Sequence, residues 1–247
     1  MKKDLKNLKT LYKKGENIIQ HLRNVNRGRI SPEDIKISYD LQAGSYIKKA
    51  TRFSKLEEER GVIYSEIIQS LGSFNSILEV GIGEGTTFLQ ISKRINNDVS
   101  LLGFDFSFSR LLYAKQFLQE NKTKPSLFLG DMYNAPLLSN SVDVVYTNHT
   151  LEPNGGNEIK LLKELYRITN KFLVLLEPIY ELSSASSKEH MDNHGYVKNL
   201  YDHAKNLNFK IIDYRLLFDD NNLNANSTGV IIIKKNNNLE NVNQENL

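Results

Sequence analysis

The chain has 247 residues and not one cysteine. Disulfides, thiolate zinc sites and thiol nucleophiles are thereby excluded together. Long apolar runs are missing too. The longest, residues 172–176 and 230–233, have strand length, against the ~20 residues that a bilayer-spanning helix requires. The lysines near Met1 are followed by no apolar stretch, so no targeting segment is read and a cytoplasmic location is expected. Charge is nearly balanced, with 32 Lys+Arg against 29 Asp+Glu and a net +3. A protein that neutralises a nucleic-acid backbone carries a denser basic face, so no nucleic-acid partner is expected. Nor is there an internal repeat. What is present, 40% hydrophobic and 25% charged residues, suits a soluble globule with a core.

The first 72 residues read as helical. Leu5, Leu8, Leu11, Ile18, Ile19 and Leu22 recur at helical spacing among lysines. Ser31-Pro32-Glu33-Asp34 has the form of a cap, a first-turn proline and an acidic first turn. One helix is expected from there to Phe53, and another from Ser54 to Leu71, stopped by Gly72. From residue 73 the texture changes. Five short β-rich runs (76–80, 100–104, 126–129, 142–146 and 172–176) alternate with helical patterns. A polar segment at 179–195, a helix to Asn206 and two last strands, 209–218 and 230–234, follow. This order predicts an α/β fold, mainly parallel, with helices on both faces. The last two strands have no helix between them and are expected to pair as a hairpin. The Asn-rich tail, 236–247, is expected to be disordered.

The chemistry is concentrated at strand ends. Gly81-Ile82-Gly83-Glu84-Gly85 follows the first strand and opens a helix. Glycines there let the backbone turn tightly and approach a ligand, and a helix start offers free N–H groups. Asp105 ends the second strand, where a carboxylate can accept from a ribose diol. Asp131-Met132 follow the third, where an acid can accept from an exocyclic amine with a methionine against the base. A dinucleotide site is the competing reading. It prefers a glycine at position 86, which is Thr, and the distance from Gly85 to Asp105 suits either ligand.

Residues 76–177 resemble the class I S-adenosylmethionine-dependent methyltransferases. Glu79-Val-Gly81-Ile-Gly83-Glu-Gly85 is similar to their ExGxGxG loop, and Asp105 with Phe106, and Asp131-Met132, fall at their ribose and adenine positions. The resemblance implies a Rossmann-like sheet whose last strand is antiparallel, covered by an N-terminal helical lid. It implies S-adenosyl-L-methionine as cofactor and S-adenosyl-L-homocysteine as product, with Asn148 also at the cofactor. Tyr39-Asp-Leu-Gln-Ala43-Gly-Ser-Tyr46 is similar to the YDxxAxxY helix of such lids, which would place Tyr46 near the methionine carboxylate. Further on, 148–156, 176–181 and 194–196 are similar to methyltransferases encoded with capsule and other surface-polysaccharide genes. Some of those O-methylate a phosphoramidate. The chain departs from them at 221–229, which lacks their prolines.

On the acceptor side His149 is the first candidate, with Glu152 to orient its imidazole. It stands just past the fourth strand, where open α/β sheets place their sites. Tyr180, His190, His194 and Tyr196 are candidate acceptor contacts. His190 and His194 could instead join His149 and Glu152 around a metal, but no third ligand is fixed by spacing and no metal is expected. For each of these residues alone a loop cap or core packing is the ordinary reading. The expected function is methyl transfer to an oxygen of a small polar acceptor, with a homodimer or heteromer compatible with it. The competing classes are a methyltransferase-like subunit that supports a partner, and a nicotinamide oxidoreductase.

Overall fold

The computed structural model describes residues 4–218 and 227–236. The expected tail lies outside them, apart from Asn236, as does most of the 221–229 departure. Seven strands form one sheet: β1 (Ser76–Val80), β2 (Ser100–Asp105), β3 (Ser126–Leu129), β4 (Val142–Asn148), β5 (Thr169–Glu177), β6 (Lys210–Phe218) and β7 (Thr228–Lys234). Their order is β3-β2-β1-β4-β5-β7-β6. The first five pair in parallel, and β7 runs antiparallel to both β5 and β6. The mainly parallel sheet and the final hairpin are as expected.

Alternation along the strands supplies two cores. On one face Leu78, Val80, Val145, Leu173 and Leu175 are buried. They pack with α8 (Glu158–Ile168) and α10 (Leu200–Asn206). In α8 the buried Leu161, Leu162, Leu165 and Ile168 form one helical stripe. Each such side chain contributes roughly 1.5–3 kcal/mol by leaving water. On the other face Ile77, Val144, Tyr146, Val174 and Leu176 meet α5 (Ser54–Gln69), α6 (Thr86–Ser92) and α7 (Phe108–Glu120). Tyr64, Ile67 and Ile68 of α5 belong to this core, so packing continues across the composition boundary at residue 72.

The N-terminal helices are α1 (Leu5–Lys13), α2 (Ile18–Val25), α3 (Pro32–Gln42) and α4 (Ser45–Arg52). The Ser31 cap is a full capping box: its hydroxyl accepts from the Asp34 N–H, and the Asp34 carboxylate accepts from the Ser31 N–H. Leu8, Ile18 and Leu22 make a small core of their own. The single helix expected from 32 to 53 is two. Gly44 takes a left-handed φ of 89° and the chain turns there. The polar 179–195 segment contains a helix, α9 (Ala185–His194), capped by Ser184 and stopped by Gly195 at φ 58°. Its only buried side chains are Ser187 and Met191, so its sequence carries almost no apolar period. Among the described residues no helix is long and apolar enough to cross a membrane.

Candidate active site

The strand order reverses between β1 and β4, and open α/β sheets bind ligands at that switch. A cleft opens there, and small-molecule sites are concave. Its walls come from the loops after β1, β2, β3 and β4, and from α3 and α4 above them. Of the expected cofactor residues, Tyr46, Glu79, Gly81, Asp105, Phe106, Asp131, Met132 and Asn148 line it. So do the expected catalytic pair, His149 and Glu152.

Gly83 and Gly85 are not on the cleft wall. They have φ values of 56° and 75°, and a Cβ on them would stand 2.5 Å from the Arg110 guanidinium and 2.9 Å from Leu118. Gly81, at φ 70°, would have Thr150 closer still, at 2.2 Å. The loop is thus glycine-rich because side chains of neighbouring elements press on it, as well as for its turns. Its backbone is tied to β2: the N–H groups of Gly81 and Ile82 both donate to the Phe104 carbonyl. The Gly83 N–H donates to Asp105 Oδ2 at 2.8 Å, and the Ser107 N–H donates to Oδ1 at 2.8 Å. Asp105 is 3% exposed. Each of its oxygens therefore already holds a backbone donor, and a diol would share them through the remaining lone pairs. Burial raises the Asp105 pKa, with the Arg110 charge and the two backbone donors working against it.

Glu79 is fully buried beneath the loop, and the Tyr146 hydroxyl on the adjacent strand donates to it at 2.8 Å. Burial pushes its carboxyl up to about 8. At neutral pH it is mostly protonated, because burial outweighs the Tyr146 hydrogen bond and the Arg110 charge that work against it.

Two residues at this site were not anticipated. Glu84, the variable position inside the glycine string, is buried, and its carboxylate accepts the N–H of Gly44 at 3.0 Å and of Ile47 at 2.8 Å. It caps α4 from across the cleft. Arg110, one turn into α7, places its guanidinium 4.8 Å from the Tyr39 ring and 4.5 Å from the Tyr46 ring. Its Nε is buried and makes no hydrogen bond. The nearest carboxylate, Glu84, is 4.0 Å away. Asp40 and Tyr39 complete this seam: the Ser107 hydroxyl donates to Asp40 at 2.5 Å, and Tyr39 meets Phe106 edge-on at 6.3 Å between centroids.

At the far end His149 sits at φ 50°, a left-handed conformation that costs about 1–3 kcal/mol for a residue with a Cβ. Its Nδ1 lies 2.9 Å from Glu152 Oε2 and its Nε2 lies 2.7 Å from the Thr228 hydroxyl. In the neutral ring, Nδ1–H donates to Glu152 and Nε2 accepts from Thr228. Burial alone would lower the His149 pKa, but the Glu152 hydrogen bond and charge outweigh it, and the net shift is upward. Behind the pair, Glu177 at the end of β5 accepts the N–H groups of Thr150 and Leu151 at 3.0 and 3.2 Å. Burial pushes it up to about 7. Tyr133 donates to Asn154 at 2.9 Å on the same side.

The other expected acceptor contacts lie elsewhere. His190 and His194 stack on each other at 4.0 Å, beside Tyr196, and neither lines the cleft. Tyr180 is hydrogen-bonded to Asp192 at 3.1 Å. Tyr196 lines a second groove, which also contains Arg23. Among the described residues no group of three or more His, Asp or Glu is arranged to hold a metal.

A cleft at the switch point, walled by strand-end acids and a glycine turn, is the architecture of a nucleoside-cofactor α/β protein. Residues 77–171 match the family model of a methyltransferase domain. No curated protein matches the chain. Solved structures do. A SAM-dependent methyltransferase from Aquifex aeolicus is 17% identical, with 78% of this chain and 98% of that one covered and a TM-score of 0.54. SAM-dependent methyltransferases from Methanosarcina mazei give 16%, 68%, 96% and 0.56. Geranyl diphosphate C-methyltransferase from Streptomyces coelicolor A3(2), solved with Mg²⁺, geranyl diphosphate and S-adenosyl-L-homocysteine, gives 11%, 71%, 77% and 0.55. At these identities the likeness is one of fold. Residues 77–171 thus match a methyltransferase domain, and the fold around them is the one these S-adenosylmethionine-dependent methyltransferases have.

Proposed function

We propose that the chain transfers a methyl group to an oxygen of a small polar acceptor, a sugar, nucleotide-linked or phosphoramidate precursor of capsular or other surface polysaccharide. The observation that carries the oxygen assignment is the His149–Glu152 pair at the open end of the cleft. The precursor class comes from the sequence resemblance and defines which acceptors to test first. The fold leaves the methylated atom open, since one structure that shares it is a C-methyltransferase.

The residues present fit the cofactor. Arg110 Nε and the Asn148 amide oxygen are both buried without partners, on residues that line the cleft. A guanidinium suits the carboxylate of the methionine portion, and an amide oxygen suits its ammonium. Asp105 would hold the ribose, and Asp131, Met132 and Phe106 the adenine. S-adenosyl-L-methionine supplies an activated methyl group on a sulfonium. The chain has to align the acceptor behind it and keep water out. Alignment of this kind can be worth about 7–11 kcal/mol. Tyr39 and Tyr46 roof the cofactor half, as a lid would. Where the acceptor is a hydroxyl, His149 removes its proton at Nε2 once that hydroxyl replaces Thr228 there, and Glu152 steadies the imidazolium that results. An anionic phosphoramidate oxygen has no proton to lose, and the pair would only hydrogen-bond it.

The test is a mass-spectrometric screen for a product heavier by one CH₂ across sugar nucleotides, phosphoramidates and simple sugars. His149→Ala is run in parallel, with S-adenosyl-L-homocysteine affinity measured by calorimetry. We expect turnover to fall by ~10²–10⁴-fold with little loss of affinity. Unchanged turnover in His149→Ala would remove the residue from the chemistry. Methylation at carbon or nitrogen would overturn the O-methyl assignment.

A further inference from the structure

Arg23 is an arginine that the methyl-transfer chemistry does not use. It lies in the last turn of α2 and is 8% exposed, in a part of the chain where lysines and arginines otherwise face water. Its Nε is buried with no hydrogen-bond partner, and among the described residues no carboxylate lies within ion-pair distance of it. Burial lowers its pKa, with Tyr196 working against it, and an uncompensated buried cation destabilises the fold. Such a group is retained where an anion completes it.

The space beside it is built to receive one. Arg23 borders a groove between the α2–α3 connection, the Gly155-Gly156 turn and the Gly195–Asn199 segment. Arg29 and His203 line the same groove. Gly195 takes a left-handed φ of 58°, and its lack of a side chain leaves room for the guanidinium, since a Cβ there would stand 2.3 Å from Arg23 Nη1. The other charges in the groove are already engaged. Glu158 accepts the N–H groups of Gly156 and Lys198, and the Lys198 ammonium is paired with Asp192. With the Glu158 carboxylate counted against Arg23 and Arg29, and Lys198 against Asp192, the groove keeps one net positive charge.

The groove also adjoins the acceptor end of the cleft. Glu152, Pro153 and Asn154 face the cleft, and the next two residues, Gly155 and Gly156, face the groove. The Val197 N–H donates to the Glu152 carbonyl and fastens the two sides of this partition together. The cleft and the groove are thus separated by a single turn of chain.

We infer that the groove around Arg23 is an anion subsite that takes the phosphoryl or diphosphoryl group of the acceptor. This identifies the acceptor as a phosphorylated molecule, and to that extent it rests on the proposed methyl transfer to a small acceptor. Guanidinium groups suit the role, since two parallel N–H donors match two phosphoryl oxygens.

The experiment uses inorganic pyrophosphate on the full chain, without turnover, so that its result does not depend on the acceptor reaction. Binding is followed by calorimetry with and without saturating S-adenosyl-L-homocysteine. We expect binding in both cases, weakened at least tenfold in Arg23→Met and measurably in Arg29→Met. Arg23→Met should keep wild-type affinity for S-adenosyl-L-homocysteine, which shows that it is folded. Should it fail to fold, the exposed Arg29→Met carries the comparison. No binding, binding indifferent to both substitutions, or displacement by S-adenosyl-L-homocysteine would each overturn the subsite. If pyrophosphate behaves as expected while the screen finds no methylated product, the subsite stands and the acceptor assignment falls.

Discussion

Glu84 joins the two halves of the site, and replacing it with glutamine isolates that link. The carboxylate accepts two backbone N–H groups from the start of α4 and lies 4.0 Å from Arg110, with its side chain fully buried. Glutamine keeps the shape but turns one acceptor oxygen into an NH₂ facing an N–H, and it removes the charge. A hydrogen bond to a charged group is worth about 1.5–3 kcal/mol. One bond is lost outright and the other becomes neutral, so docking of α3 and α4 should weaken by about 2–4 kcal/mol. At about 1.4 kcal/mol per decade, that shifts the docked equilibrium by roughly 30- to several-hundred-fold. The assay is native-state hydrogen exchange on Gly44, Ile47 and their helical neighbours, with β1 and β4 as internal reference. Protection of α3 and α4 should fall by that factor while the strands keep theirs, and affinity for S-adenosyl-L-homocysteine should fall as well. Unchanged protection at Gly44 and Ile47 would refute the link. An equal loss across the strands would mean that Glu84 supports the whole fold rather than this joint.

Two further outcomes follow from the buried groups. Glu79 has its folded pKa pushed up to about 8 from an ordinary 4.5. Between those values the unfolded chain has it ionised and the folded chain keeps it protonated, so its contribution to stability is full at low pH and is lost as pH rises toward 8. Urea titrations from pH 5 to 9 should show a decline of up to about 1.4 kcal/mol per pH unit from this group, absent in Glu79→Gln. Identical profiles for the two proteins would contradict it. Gly83→Ala puts a Cβ at φ 56° and 2.5 Å from the Arg110 guanidinium. The backbone alone costs about 1–2 kcal/mol, and Arg110 must leave its place between Tyr39 and Tyr46. Cofactor affinity should drop at least tenfold by calorimetry, and wild-type affinity would show that Arg110 does not need that position.

The parts of the fold that sequence makes legible are those with a short-range period. β1 to β5 show as short apolar runs, as strands buried on both faces do, and α8 as a stripe of period 3.6, and the two cores are made of those positions. The cap at Ser31 is legible because its partners lie within one turn, while the reciprocal Asp34 bond that makes it a capping box shows only in the structure. The residues that escaped reading act at a distance. Glu84 looks like filler between glycines, and its meaning lies 40 positions back at Gly44. The same bond explains why the helix expected to run through residue 44 breaks: an isolated glycine in a helical pattern is a weak stop, and the carboxylate that captures the freed N–H groups cannot be seen locally. Arg110 could have been found, because a helix capped by Ser107 directs its first turn back toward the strand ends. His149 could be placed at a strand end from sequence, but its Thr228 partner lies 79 positions away on the antiparallel strand. Charges and their partners set the chemistry here, and it is those pairings, across long sequence separations, that hydrophobic patterning cannot encode.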